Sequence, residues 1–467
     1  MTERQERPPP CHAACSSHVL MSLFPFITYV VLPAGVLALV EVGDAYLLLF
    51  LGHVLLAIGA VEWSWLAFRI CQRLLLAVVL HEEALAVSAA TATGAVADEI
   101  GQSHRTQQTQ NFSVENEEIR RLRALEEQSL RREDLNESYT LLLNETMRAK
   151  SFAIAPLTNR VCSGRWYLGS FVLATVGAGV SLSLGYALET TVFESKSPAS
   201  GWRMMVAASV EAAFVSIFCS SLAPSGADAL VLVVYQACFL VASMNAYLKL
   251  HVNVITSDAQ LDPLFIILAG AIIIIVSRVV TSKVVIQSLL HVMCDVLGLV
   301  CIVSPLIAFV DLIDQTMNDQ FRNQFALFLL VVLAADVGNC LAKQLQLRRP
   351  EVFKYCRNSQ LKFEATTEDL EALLISLMCG ATMIAIIYLG LNGEDYTTVE
   401  VIVLIGAITL GQWCRLWMVH VRQMAKVSTS AFYFPEGSQT CGVLDRMTVF
   451  LVAIIVYYPY IKQKYFS

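Results

Sequence analysis

Charge is scarce in this chain. Only 15% of its 467 residues are Asp, Glu, Lys or Arg, where a soluble domain usually carries about a quarter. That deficit excludes an ordinary water-soluble fold. The formal net charge of -7 lacks the positive excess that a nucleic-acid partner would require. Thirteen cysteines are scattered without a Cys-x-x-Cys pair, so zinc ribbons and dithiol redox motifs are missing. Cys11-His12 with Cys15 lies in a polar tail and is read as part of that tail. The remaining cysteines read as small apolar packing residues with free thiols. A Gly-rich phosphate loop, a His-Glu-x-x-His helix and a Ser/His/Asp set are all absent, which excludes P-loop ATPases, zinc metalloproteases and serine hydrolases. No internal repeat or inverted pair of halves is visible, against a common transporter architecture.

Long oily runs fill the space that charge leaves. Hydrophobic residues make up 56% of the chain, and about 20 consecutive apolar residues cross a bilayer core as a helix. Hydropathy predicts about eleven such spans, near 19–40, 45–70, 166–187, 204–223, 228–249, 263–280, 284–310, 325–342, 370–390, 398–418 and 447–461. The expected fold class is all-α, a polytopic integral membrane protein of about 10–11 transmembrane helices, because helices satisfy their own backbone groups in lipid. The long run at 284–310 contains Ser304-Pro305, a place for a break.

Positive charge sets the expected orientation. Arg4, Arg7, Arg69, Arg73, Arg148, Lys150, Arg160, Arg165, Arg278, Lys283, Lys343, Arg348, Arg349, Lys354, Arg357, Lys362, Arg415, Arg422, Lys426 and Arg446 all fall on one side of an eleven-span chain. The opposite loops carry Glu41, Asp44, Asp258, Asp262, Asp311, Asp314, Asp319, Glu394 and Asp395. The basic side faces inward by the positive-inside rule. That places the N-terminus in the cytosol for an endoplasmic-reticulum protein, or in the matrix for the mitochondrial inner membrane.

Four regions follow: a disordered tail at 1–18, N-terminal helices at 19–80, a polar insertion at 81–165 and the main helical domain at 166–467. In the insertion, Ile119, Leu122 and Leu125 recur at helical spacing, with Glu117/Arg121 and Glu127/Arg131 as i,i+4 pairs. Residues 115–150 are thus a solvated helix or a docking element for protein partners. Asn111, Asn136 and Asn144 head glycosylation triplets. The orientation above places them inside, where they stay bare.

Two inward loops, 336–365 and 422–448, concentrate the polar groups. They are separated by one helical hairpin and can meet. Carboxylates for a divalent metal beside cations for phosphate are what phosphoryl or nucleotidyl transfer requires. The alternative is headgroup anchoring by the basic residues and a local Asp445/Arg446 pair.

The polar residues stand in four recognisable segments. Glu62-Trp63-Ser64-Trp65-Leu66 resembles a Glu-Trp-x-x-Leu helix end. Asp336-Val337-Gly338-Asn339 resembles Asp-x-x-Ala-Tyr, and Phe363-Glu364-Ala365 stands where a Trp-Glu-Gly is expected. Gly442-Val443-Leu444-Asp445-Arg446 resembles the core of a closing His-Gly-Gly-x-x-Asp-Arg-x-Asp. In this order they resemble the phosphatidate cytidylyltransferases (CDP-diacylglycerol synthases). The resemblance implies conversion of CTP and phosphatidic acid to CDP-diacylglycerol and pyrophosphate with Mg²⁺. It further implies that Asp445 and Asp336 hold the metal, that Lys426 and Arg446 meet phosphates, and that Lys362, Glu364 and Asn339 shape the substrate site. A homodimer is compatible with that reading. The chain departs from the pattern at Val427, Thr448, Thr440-Cys441-Gly442 and Asn358-Ser359-Gln360-Leu361-Lys362.

Three roles stay open: a divergent lipid nucleotidyltransferase, a catalytically degenerate relative serving as scaffold or subunit of a membrane complex, and a transporter. The last would use His291 and Asp295, four apart on one face of the seventh span, which otherwise read as a buried hydrogen-bonded pair. His53 and Glu211 are lone polar groups on the second and fourth spans, each expected to be satisfied by a neighbouring helix.

Overall fold

A computed structural model describes residues 35, 37, 38, 47–72, 74–75, 152–161, 165–192, 199–251, 261–281, 285–313, 319–348, 367–390, 397–424, 433–436 and 439–466. The chain divides into two units, Met1–Cys71 with Ala153–Ser467, and Gln72–Phe152. Almost all of the second unit lies outside the described residues, as do most of the first expected span, the 115–150 helix and Asn111, Asn136 and Asn144.

The first unit is built of helices: α1 (Leu47–Gln72), α2 (Ala155–Val161), α3 (Trp166–Val192), α4 (Ala199–Ser221), α5 (Gly226–His251), α6 (Pro263–Thr281), α7 (Val285–Gly298), α8 (Ser304–Ile313), α9 (Asp319–Arg348), α10 (Thr367–Gly390), α11 (Thr398–Met424) and α12 (Val443–Phe466). Among the described residues nine helical stretches are long and apolar enough to cross a membrane, and Met205–Ser221 of α4 adds a shorter apolar helix. These ten fall on ten of the eleven predicted spans. The chain is therefore an all-α, polytopic integral membrane protein. A two-stranded antiparallel hairpin, β1 (Tyr433–Glu436) and β2 (Gln439–Gly442), joins α11 to α12.

The break expected at Ser304-Pro305 takes the form of a widened turn. Residues Leu299–Val303 form a π turn in which the Ser304 N–H donates to the Leu299 carbonyl. Pro305 has no N–H to offer one turn back and its ring crowds the carbonyl there. The extra residue in the turn relieves that clash and lets one stretch, Val285–Leu312, continue across.

Three pairs of successive helices pack side by side through close glycine contacts. Gly177 faces Ile217 and Gly185 faces Val206 between α3 and α4. Cys238 faces Gly270 between α5 and α6, and Gly411 of α11 faces Val449 of α12. A Cβ on Gly411 would come 2.9 Å from the Val449 carbonyl oxygen, so glycine is what allows these backbones to approach. α6 and α3 are the least covered spans, with 22% and 17% of their apolar windows buried. Their exposed Leu264, Phe265, Phe171 and Leu184 form the surface a lipid-facing helix presents.

The core sits along α1, α5, α9 and α12. Phe328 stacks on Tyr457 at 4.4 Å, and Phe309, Phe325 and Phe450 extend the aromatic seam. Two ends of this bundle differ in chemistry and are named here by residues of α11, the Glu400 end and the Arg415 end.

Candidate functional site

At the Glu400 end the Glu400 carboxylate is fully buried. It accepts from the Tyr457 hydroxyl at 3.0 Å, the Tyr460 hydroxyl at 3.2 Å and the Lys464 ammonium at 3.0 Å. Nearby, the Tyr458 hydroxyl donates to Asp311 at 2.5 Å, and Lys462 lies 3.8 Å from the same carboxylate. The two terminal lysines are thus matched by acids at an end otherwise rich in carboxylates.

The Arg415 end gathers the residues that the sequence singles out. Glu62 of α1 is 2% exposed and accepts the Leu444 N–H at 2.7 Å. Leu444 is the second residue of α12, whose first N–H groups have no partner within the helix. A carboxylate at that positive end is also favoured by the helix dipole. The first motif segment therefore seats the last across 382 positions of sequence.

One layer away, Asp336 of α9 receives the Arg415 guanidinium of α11 at 2.6 Å. The Asn339 amide donates to Gln412 at 3.2 Å, three residues along each helix. Asn339 Oδ1 and Gln412 Nε2 remain buried with no hydrogen-bond partner. Asp445 is 2% exposed, and Arg446 is partly exposed beside it. The pairs Thr397–Tyr460, Glu400–Tyr457 and Gly411–Val449 fix the register of α11 against α12. Continued by one turn, that register places Arg415 abreast of Asp445. Asp336, Asn339, Asp445 and Arg446 are thus brought to one end of the bundle, together with Glu62, Gln412 and Arg415. Lys426, Lys362 and Glu364 lie outside the described residues.

Two expectations change in form. Arg415 and Arg278 count by sequence as loop charges, yet Arg415 is buried within α11 and Arg278 within the last turn of α6. Sequence spacing cannot reveal this, because a partner on another helix decides whether a charge can enter the bundle. Among the described residues no three His, Cys, Asp or Glu side chains group as a metal site. Asp336 already faces a guanidinium, so these residues do not fit a Mg²⁺ ion by themselves.

A second polar cluster, missed by motif reading, adjoins the first through α1. Arg278 bridges two acids: its Nε donates to Asp295 at 2.6 Å and its Nη2 donates to Asp228. The Asp228 carboxylate also accepts from the Ser225 hydroxyl at 2.6 Å, and the Tyr235 hydroxyl donates to the Asp295 carbonyl. All three charged groups are buried. Asp295 consequently gives its carboxylate to Arg278 and not to His291, which corrects the His291/Asp295 pairing read from helical spacing. Trp63, next to Glu62, donates its Nε1–H to the Cys294 carbonyl at 3.1 Å. The thiol of Cys71 lies 3.6 Å from that of Cys294. Gly298 lies beneath Trp63 and Tyr235 with no room for a side chain.

The sequence matches no protein-family model, no curated protein and no solved structure.

Proposed function

We infer that this chain is a membrane lipid nucleotidyltransferase of the phosphatidate cytidylyltransferase kind, working in phospholipid biosynthesis. The observation supporting it is the meeting of motif segments: Glu62 bonds the Leu444 N–H, while Asp336 and Asn339 sit with Arg415 and Gln412 at the level of Asp445. In the proposed reaction a phosphate oxygen of phosphatidic acid attacks the α-phosphorus of CTP. The bond to the leaving pyrophosphate breaks, and CDP-diacylglycerol forms. Arg446 and Lys426 are the cations proposed to meet the phosphates. The Mg²⁺ that the resemblance implies would need ligands beyond Asp445 and Asp336, since Arg415 already faces Asp336. The Arg415 end would face the cytosol or the matrix, in the endoplasmic reticulum or the mitochondrial inner membrane, by the charge bias of its loops.

One observation favours a second reading. The cation facing Asp336 is Arg415, part of the chain itself. A guanidinium in that place neutralises the acid without a bound ion. It suits a catalytically degenerate relative kept as a scaffold or subunit of a membrane complex, with 115–150 as its docking element.

Purified full-length protein in lipid nanodiscs, given phosphatidic acid, CTP and Mg²⁺, separates the two. Formation of CDP-diacylglycerol and pyrophosphate, lost in Asp445→Asn, supports the enzyme. No turnover while a working synthase is active alongside rejects it. Co-purification of a stoichiometric partner from native membranes would then support the scaffold.

A further inference from the structure

His53 and Glu211, isolated in the sequence, line one cavity between α1, α4 and α5. Its wall also includes Ser243, with Leu49, Met205 and Leu240 closing it, and about 20 Å³ is open to the centre of a water molecule. One water needs about 10–15 Å³ on this measure. His53 and Ser243 are 2% and 4% exposed. Three polar atoms of the lining residues are buried without a hydrogen-bond partner: His53 Nε2, Glu211 Oε1 and Ser243 Oγ. The imidazole is fixed from its other side. Nδ1 lies 3.3 Å from Gln236 Oε1, and Phe239 packs edge-on to the ring at 4.6 Å. With the Gln236 amide oxygen turned to the ring, Nδ1 carries the ring proton and Nε2 offers a lone pair.

Orphaned polar atoms around a water-sized space within apolar helices call for an occupant, since each unpaired buried group is costly. Charge and ligand count select it. Ca²⁺ takes six to eight oxygen ligands and Mg²⁺ a near-octahedral set, whereas only Glu211 and Ser243 supply side-chain oxygen. Zn²⁺ would find two of its usual ligand types, and its two charges against one carboxylate would leave net positive charge in lipid. A proton leaves the cavity neutral.

We propose that this cavity is a single-proton site, in which one water links Glu211, His53 and Ser243. With the proton on Glu211, the imidazole is neutral. Transfer through the water breaks the carboxyl O–H bond, forms the Nε2–H bond and yields carboxylate and imidazolium. Both forms are net neutral. His53 and Glu211 are the titratable groups lining the cavity. Gln236 and Phe239 of α5 face His53. From α3, on the other flank of α4, Gly177 and Gly185 face Ile217 and Val206, and neither is titratable.

The test is infrared difference spectroscopy on the full-length protein in nanodiscs over a pH series, comparing wild type, Glu211→Gln and His53→Gln. The wild-type minus Glu211→Gln spectrum should contain a protonated-carboxyl C=O band equal to one group per chain. His53→Gln should shift that band, because the water loses a partner. Absence of the band at every pH overturns the proposal, and so does a band that His53→Gln leaves unmoved. A zinc-dependent rise in melting temperature that His53→Gln abolishes also overturns it, in favour of a metal. Should Glu211→Gln fail to fold, the wild-type and His53→Gln spectra alone decide by the same shift.

Discussion

Asp336 and Arg415 meet at 2.6 Å between α9 and α11, with the guanidinium almost fully buried and the carboxylate about one-fifth exposed. Removing one partner of such a pair leaves an uncompensated charge, which costs about 3–5 kcal/mol when burial is complete. Water at Asp336 screens part of this, so Asp336→Asn should cost about 2–3 kcal/mol. The double variant Asp336→Leu/Arg415→Met should be more stable than Asp336→Leu alone. Unfolding in mild detergent measures both, and strict additivity would dissolve the claimed coupling.

Glu62→Ala should lower stability by about 1–3 kcal/mol, because the Leu444 N–H loses its acceptor. Glu62→Gln keeps an oxygen there and should retain part of the loss. Hydrogen exchange at Leu444 should quicken in Glu62→Ala. An unchanged rate would mean that the cap contributes nothing.

Arg278→Met strips Asp228 and Asp295 of their shared cation and should abolish folding or lower the melting temperature steeply. Arg278→Lys should rescue partly, since an ammonium is a compact charge without the fork that reaches two acids. Equal behaviour of the two variants would show that the bridge is not bidentate in its effect.

The thiols of Cys71 and Cys294 must approach from 3.6 Å to a bond of about 2 Å to form a disulfide. Treatment of the full-length protein with diamide should join α1 to α7, and dithiothreitol should release them. Peptide mapping would detect the link, and Cys71→Ser should abolish it. Failure to cross-link would mean that the helices cannot close the remaining gap.

Much of the fold was legible in the sequence because apolar length is a local property. Runs such as 263–280 and 325–342 need no partner to declare themselves, and Pro305 announced its disturbance. That Asp336, Asn339 and Asp445 belong to one end of the bundle was legible in the charge pattern, but that Arg415 and Gln412 of the intervening helix partner the first two was not. The Asp228–Arg278–Asp295 bridge was not, because its members lie on three helices with no common spacing. His291 and Asp295 illustrate the opposite error: four residues apart on one helix face suggested a pair, and Arg278 of the preceding helix took the acid. That His53 and Glu211 line one cavity depended on how α1 and α4 close around α5, which hydropathy does not encode.

Glu400 lies on α11, while Tyr457, Tyr460 and Lys464, which hold its carboxylate, all lie on α12. During synthesis, α11 is made before any of them exists. The acid must therefore wait, hydrated or sheltered by the insertion machinery, until the closing helix arrives. A chain that stops before residue 457 would leave Glu400 without these three partners, at a cost in free energy within lipid. The burial of Glu400 on α11 is in this sense conditional on the synthesis of α12.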